Sequence, residues 1–277
     1  MKTVTVGNVE ITALLDTNLL MNPRMFFPDH AEEVMREYAD SLDERELLSV
    51  SITCYLLRSA GKTVLVDTGL GSRRRPRFPV GRLDESLAGA GVAPEEIDLI
   101  VHTHLHIDHV GWNTVDEDGT GPRIFFPRAQ YFIQRAEWEY WMTAAQMEDP
   151  GNAHLVECVK PLEATGRISL LDSEQAIDEN LTFIPTPGHT PGHVSIGIYS
   201  AGERAVIIGD ASHHPMQLDH PDWSPGVDTD PKQSARSRES LFESAANDGR
   251  TWIAGHWPHP GFGRIRRLEG RRVFEAL

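Results

Sequence analysis

Cysteine is scarce: Cys54 and Cys158 are the only two in 277 residues. That excludes a disulfide framework, and their spacing is wrong for a zinc ribbon, so a reduced, cytoplasmic setting is expected. Long apolar runs are also missing. The first eighteen residues, MKTVTVGNVEITALLDTN, alternate polar and apolar positions in place of a signal peptide's unbroken apolar stretch, and no other segment reaches transmembrane length. Basic charge is in deficit too, with 26 Lys and Arg against 41 Asp and Glu and a formal net charge of −15. Such a surface repels nucleic acid and anionic membranes, so neither is expected as a partner. The one basic run, Arg73 to Arg75, reads as a solvated loop before Pro76. What remains, 40% hydrophobic and 24% charged with no low-complexity tract, describes a globular chain.

Apolar periodicity alternates between strand and helix along the whole length. A strand or hairpin is expected over 3–15 around Gly7-Asn8, followed by a proline-punctuated apolar stretch and a polar helix within 19–45. Strands at 48–57 and 63–67 flank a turn at Gly61-Lys62. A helix over 83–90 ends at Gly91, and an apolar strand over 97–101 follows. Further strands are expected at 125–133, 181–185, 194–199, 205–208 and 251–254, with helices at 135–147, 153–162 and 234–246. No Pro/Gly/Ser-rich linker divides the chain, which favours a single α/β domain over 1–277 with two sheet-containing halves. Residues 17–47 would then form either a lid or a surface for a homodimer.

The strand over 97–101 runs into HTHLHIDHVGW at 102–112, which gathers His102, His104, His106, Asp108 and His109. A core needs none of these groups, and buried polar side chains are costly unless satisfied. In extended backbone, residues two apart face the same side, so His104 and His106 can converge on one ion while Asp108 and His109 turn toward a second. Imidazole and carboxylate donors suit zinc, manganese, iron or cobalt. Two ions need more donors than this stretch supplies. They are available at PGHTPGH (187–193), IIGD (207–210) and IAGH (253–256), each at a strand end or in a glycine-rich loop.

With HTHLHIDH at 102–109, TPGHTPGH at 186–193, GDAS at 209–212 and GHW at 255–257 in this order, the chain resembles the metallo-β-lactamase-fold hydrolases. The resemblance implies an αββα sandwich, with two central mixed sheets flanked by helices, and two divalent ions, zinc first among them. It implies one ion on His104, His106 and His189, a second on Asp108, His109 and His256, and Asp210 bridging both together with a hydroxide. Asp67 in VLVDTG is implied as support for a ligand or the following loop. His102, two positions before the family pattern begins, is read as support rather than ligand, and His193 as a brace for the loop carrying His189. His213 stands three residues after Asp210, where related lactonases place a carbonyl-polarising tyrosine; that role and a plain loop histidine are its two readings. Leu20, Met21, Met25, Phe26 and Phe27 either line an apolar substrate lid or pack a core.

Within this family the chain lacks a flavin-binding module, the helical C-terminal region of glyoxalase II and the added domains of nucleolytic relatives. The branch left is that of lactonases and methyl parathion hydrolase-like enzymes. It implies hydrolysis of a small uncharged lactone or ester by a metal-bridging hydroxide, with Asp108 passing a proton to the leaving group. Phosphotriester or glutathione thioester hydrolysis are the alternative activities, and a metal-binding protein without turnover is the non-enzymatic one.

Overall fold

The computed structural model describes residues 1–116 and 118–277. Among these, seven strands form one sheet in the order Thr3–Val6, Val9–Met21, Leu48–Ser59, Lys62–Val66, Leu99–Val101, Gln130–Gln134 and Ile168–Leu171. Six more form a second sheet: Leu181–Pro185, Val194–Ser200, Glu203–Ile207, Thr251–Ile253, Phe262–Leu268 and Arg271–Ala276. Both sheets are mixed. The first turns parallel from Lys62–Val66 onward, and Glu203–Ile207 pairs in parallel with Thr251–Ile253 in the second.

The sheets pack face to face through Val9, Ile11, Val64, Val66 and Val101 on one side and Ile196, Ile198, Ile207 and Phe262 on the other. Each such side chain contributes about 1.5–3 kcal/mol on burial. Helices cover the outer faces: Leu83 and Leu87 of the helix Leu83–Gly89 pack on Leu14 and Leu65, while Leu241 and Phe242 of Pro231–Asp248 pack on Val206 and Trp252. The architecture is thus the αββα sandwich. Central strands therefore lose the apolar/polar alternation of a one-faced sheet, and Leu48–Ser59 is buried at nearly every position. The helix Pro231–Asp248 is well bounded, since Asp230 accepts from Gln233 N at 2.9 Å, Pro231 opens it and Gly249 closes it at φ 66°. No helix among the described residues is long and apolar enough to cross a membrane.

Residues 17–47 do not begin as a separate extension. The second strand continues through them to Met21, paired with Leu48–Ser59, and beyond it lie the short helices Pro23–Phe26 and Ala31–Glu37 with the 3₁₀ segments Pro28–His30 and Ala39–Ser41. The expected helix over 135–147 breaks into Arg135–Trp141 and Ala144–Glu148, the second capped by Thr143. The segment 153–162 winds as a π turn, Leu155–Val159, and then as a 3₁₀ segment, Lys160–Thr165, since Pro161 has no N–H to continue the ladder. The hairpin Phe262–Leu268 with Arg271–Ala276 escapes the sequence reading because arginines interrupt its alternation.

The long second strand kinks at a bulge between Leu15 and Thr17, which turns Asp16 inward. Its carboxylate accepts from Leu70 N (2.8 Å), Leu83 N (2.8 Å) and Trp112 Nε1 (2.9 Å), tying together three loops beneath the histidine cluster. Burial pushes the Asp16 carboxyl up to about 6, against the opposing pull of these donors. A folded-state value above the unfolded one means the folded chain holds the extra proton, so this group's contribution to stability falls as pH rises from about 4 to about 6. The substitution Asp16→Asn removes that titration and sets an amide N–H against one of the donors. It is expected to destabilise more at pH 4.5 than at pH 8, by up to about 2–3 kcal/mol. Denaturant melts at the two pH values measure the difference, and an equal cost at both would show that Asp16 does not titrate in this range.

Candidate metal centre

Every candidate donor follows a strand end at the same edge of the sandwich. Leu99–Val101 delivers His104 and His106, the turn Ile107–Val110 delivers Asp108 and His109, the loop after Leu181–Pro185 delivers His189, the end of Glu203–Ile207 delivers Asp210, and the end of Thr251–Ile253 delivers His256. Glycine makes the approach possible at Gly188, with φ 131°, where an added Cβ would lie 2.1 Å from Ser234 N.

Three imidazole nitrogens meet on one side: His106 Nδ1 is 3.0 Å from His104 Nε2 and 2.8 Å from His189 Nε2. Shared protons cannot satisfy three lone pairs at this separation, whereas a cation can. On the other side, His109 Nε2 and His256 Nε2 lie 3.8 and 3.6 Å from Asp108 Oδ2. Asp210 joins the two groups. Its Oδ2 is 3.1 Å from His189 Nε2 and 3.7 Å from His104 Nε2, while its Oδ1 is 3.0 Å from both His109 Nε2 and His256 Nε2. In each group the ligating atoms fall within 4.8 Å of one another. His109 Nε2 and Asp210 Oδ1 are buried without a hydrogen-bond partner. They border a void of about 10 Å³ shared with Asp108 and His256, room for a single small species. The donor set and its unsatisfied lone pairs fit two divalent ions.

On four of the five imidazoles the nitrogen facing away from the centre is held by the protein, which fixes tautomers and ring orientations. His104 Nδ1 meets Thr103 Oγ1 at 3.1 Å, His109 Nδ1 meets Asp67 Oδ2 at 2.8 Å, His189 Nδ1 meets Asp228 Oδ1 at 2.8 Å and His256 Nδ1 donates to Ser51 O at 2.7 Å. Electrostatics follow the same pattern. Burial alone would raise the Asp210 carboxyl, but the imidazoles of His109, His256, His104 and His189 override it and hold the group well below the carboxylate range. Burial pushes His104 and His106 well below the usual imidazole value. It works the same way on His189, where the Asp210 and Asp228 carboxylates prevail and lift it to about 9.

The match to the Metallo-beta-lactamase superfamily spans residues 49–256. The chain belongs to that superfamily. An N-acyl homoserine lactonase of a Bacillus species is 29% identical over 191 residues, 62% of this chain and 68% of that one. The lactonase AiiA of Bacillus thuringiensis subsp. kurstaki is 24% identical over 234 residues, 78% and 85% of the two chains. Among solved structures, the hydrolase AbOPH, placed in the beta lactamase superfamily, aligns with a TM-score of 0.86 at 29% identity over 99% of this chain and 96% of its own. AidC, a dizinc quorum-quenching lactonase, aligns at 0.82 and 23% identity over 100% and 97%, which speaks for the fold.

In this superfamily member Asp67 adopts φ 60°, a strained conformation for a non-glycine residue, and accepts from Thr103 N (2.9 Å), Thr103 Oγ1 (2.8 Å) and His109. His102 stays off the centre: its Nε2 pairs with Asn113 and its Nδ1 is 3.6 Å from Asp67 Oδ1. His193 reaches further than the loop carrying His189, because its Nε2 accepts from Asp210 N at 2.9 Å while Nδ1 meets Thr186 at 2.9 Å. His213 Nε2 lies 3.1 Å from Asp210 Oδ2, and its backbone N is pinned to Gln217 Oε1 at 2.7 Å.

Beside the centre lies a cavity of about 290 Å³ lined by Leu19, Met21, Phe26, Val50, Phe78 and Trp141 as well as His106, Asp108, Asp210, His213 and His256. Among the described residues no lysine or arginine lines it. Of the apolar residues expected there, Met21 and Phe26 line it and Phe26 meets the His213 ring edge-on at 5.5 Å. Leu20 and Met25 are 47% and 68% exposed and point elsewhere, while Phe27 is wholly buried in the core beneath. A larger surface groove of about 660 Å³ runs between Tyr38 and Arg272 and includes none of the metal-competent side chains; its Arg267, Arg271 and Arg272 are all ion-paired. Asp228 went unread in the sequence, since the aspartates of PGVDTDP have no spacing that marks one of them.

Proposed function

We propose that the protein is a dinuclear-metal hydrolase that opens a lactone or cleaves a carboxylic ester. The observation that carries this reading is Asp210, whose two oxygens are divided between two metal-competent trios at the floor of an apolar cavity. Two divalent ions held there, zinc first among the candidates, would supply a hydroxide near neutral pH and withdraw charge from a substrate oxygen. The chain's own residues account for the rest. Leu19, Met21, Phe26, Phe78 and Trp141 seat the apolar part of an uncharged substrate and exclude water. Asp108, a member of the second trio that also borders the cavity, would take the proton given up by the attacking water and pass it to the departing oxygen.

His213 is buried, and burial lowers it to about 4, so its ring is neutral with one N–H. With Nε2 beside Asp210, it is placed to donate that hydrogen to the substrate carbonyl oxygen. His213→Phe is expected to lower kcat by about 10²-fold, the usual cost of one such donor, while metal content stays at the wild-type value. A variant with unchanged kcat would return His213 to a loop role.

The names of the relatives, N-acyl homoserine lactonases, support the lactone reading. The apolar wall of the cavity also admits a phosphotriester, the alternative activity. The cavity opposes glutathione thioesters, since among the described residues no lysine or arginine lines it to meet their carboxylates. Protein of measured metal content assayed on lactones, aryl esters, phosphotriesters and glutathione thioesters tests the proposal. Turnover of lactones and aryl esters is expected, and turnover confined to glutathione thioesters would overturn it.

A further inference from the structure

Glu137 lies in the helix Arg135–Trp141, outside every loop that carries a metal-competent side chain, and is 1% exposed. Its carboxylate nevertheless accepts four hydrogen bonds. Oε1 takes Leu105 N (3.0 Å) and Trp141 Nε1 (2.7 Å); Oε2 takes Thr190 Oγ1 (2.7 Å) and Gly192 N (3.0 Å). Leu105 stands between His104 and His106, and Thr190 directly follows His189. One oxygen therefore grips the loop carrying two donors of the first trio, and the other grips the loop carrying the third. The contact is tight, since a Cβ on Gly192 would lie 2.0 Å from Glu137 N. Among the described residues none of these bonds links Glu137 to the trio of Asp108, His109 and His256.

We propose that Glu137 is the positioning residue of the first metal site, a carboxylate staple that sets the spacing of His104 and His106 against His189 and thereby the affinity of that site alone. This rests on the two-ion reading above. Two physical arguments converge on it. All four partners are donors, so only an acceptor-only group satisfies them together, and an amide in the same place must turn an N–H toward one loop. Those partners are also neutral, so the buried charge finds no countercharge among them. A cation in the adjoining trio would provide one. Burial pushes the Glu137 carboxyl up while its four donors pull it down, a balance that such a cation would tip toward the ionised form.

The test is a cobalt titration of metal-free full-length protein, following visible absorption as each equivalent binds, with His189→Ala and His256→Ala identifying which phase belongs to which trio. In Glu137→Gln the His189 phase is expected to weaken about 10–100-fold, the range usual for groups that orient a ligand, while the His256 phase keeps its wild-type affinity. Thr190→Val, which removes one donor and no charge, should weaken the same phase by a smaller factor, and it serves if Glu137→Gln does not fold. Equal weakening of both phases, or of neither, overturns the proposal, because a merely structural role would not single out one ion. Failure of the two-ion reading would show separately, as uptake of one equivalent by the wild-type protein. Glu137 is then judged on that equivalent, supported by a tenfold or greater loss and overturned by none.

Discussion

Asp210→Asn is expected to lower kcat/KM by roughly 10³-fold or more, about 4 kcal/mol of transition-state stabilisation, and to leave the protein short of two ions per chain. Each Asp210 oxygen faces a different trio, and an asparagine keeps only one of them as an acceptor. Its NH2 group would point its hydrogens at His109 and His256, or at His189 and His104, where lone pairs already crowd. The change also removes the negative charge around which these histidines are gathered, so the cost of bringing two dications together rises. Elemental analysis of the purified variant and rates on a lactone and an aryl ester measure the two effects together. Unchanged hydrolysis would mean that the reaction occurs elsewhere, and lost hydrolysis with full occupancy would confine Asp210 to the chemical step.

The histidine cluster was legible because its members lie in short motifs whose spacing survives without knowledge of the fold. His104 and His106 share a face by strand geometry, and GDAS and GHW stand at strand ends that apolar periodicity already marked. The groups that hold the donors in place were not legible. Asp16, Glu137 and Asp228 act through contacts with residues 32 to 96 positions away, and a single carboxylate in an ordinary stretch carries no periodic or spacing signal. The cavity wall failed for a narrower reason. Once the strand Val9–Met21 is seen to run to its end, period-two alternation puts Leu19 and Met21 on the cavity side and Leu20 on the other, but the proline-rich sequence after Met21 hid where the strand stopped. Two sheets with helices outside were within reach of the sequence. The arginine-studded last hairpin and the inward turn at Asp16 depended on long-range pairing.

Arg238→Met should cause the largest loss of stability among substitutions outside the centre. The guanidinium is fully buried beneath the site and reaches from the helix Pro231–Asp248 to Ala211 O (2.7 Å), Pro221 O (2.6 Å), Trp223 O (3.1 Å), Ser234 Oγ (2.9 Å) and Asp228 Oδ2 (3.4 Å). It thus gathers the loop between Asp210 and Asp228 and partners the carboxylate that orients His189. Methionine fills much of the same volume but leaves three carbonyls without this donor and Asp228 without its cation. Removing one member of a buried charged pair costs about 3–5 kcal/mol, which at about 2–4 °C per kcal/mol lowers Tm by roughly 10 °C. A second consequence separates loop packing from the centre. Ions that bind only the folded chain raise Tm by mass action, and if the Asp228 to His189 bond depends on Arg238, the variant binds the first ion more weakly and gains less from added zinc than the wild type does. A smaller zinc-induced rise in Arg238→Met is therefore expected in thermal melts; an equal rise would limit Arg238 to holding the loop.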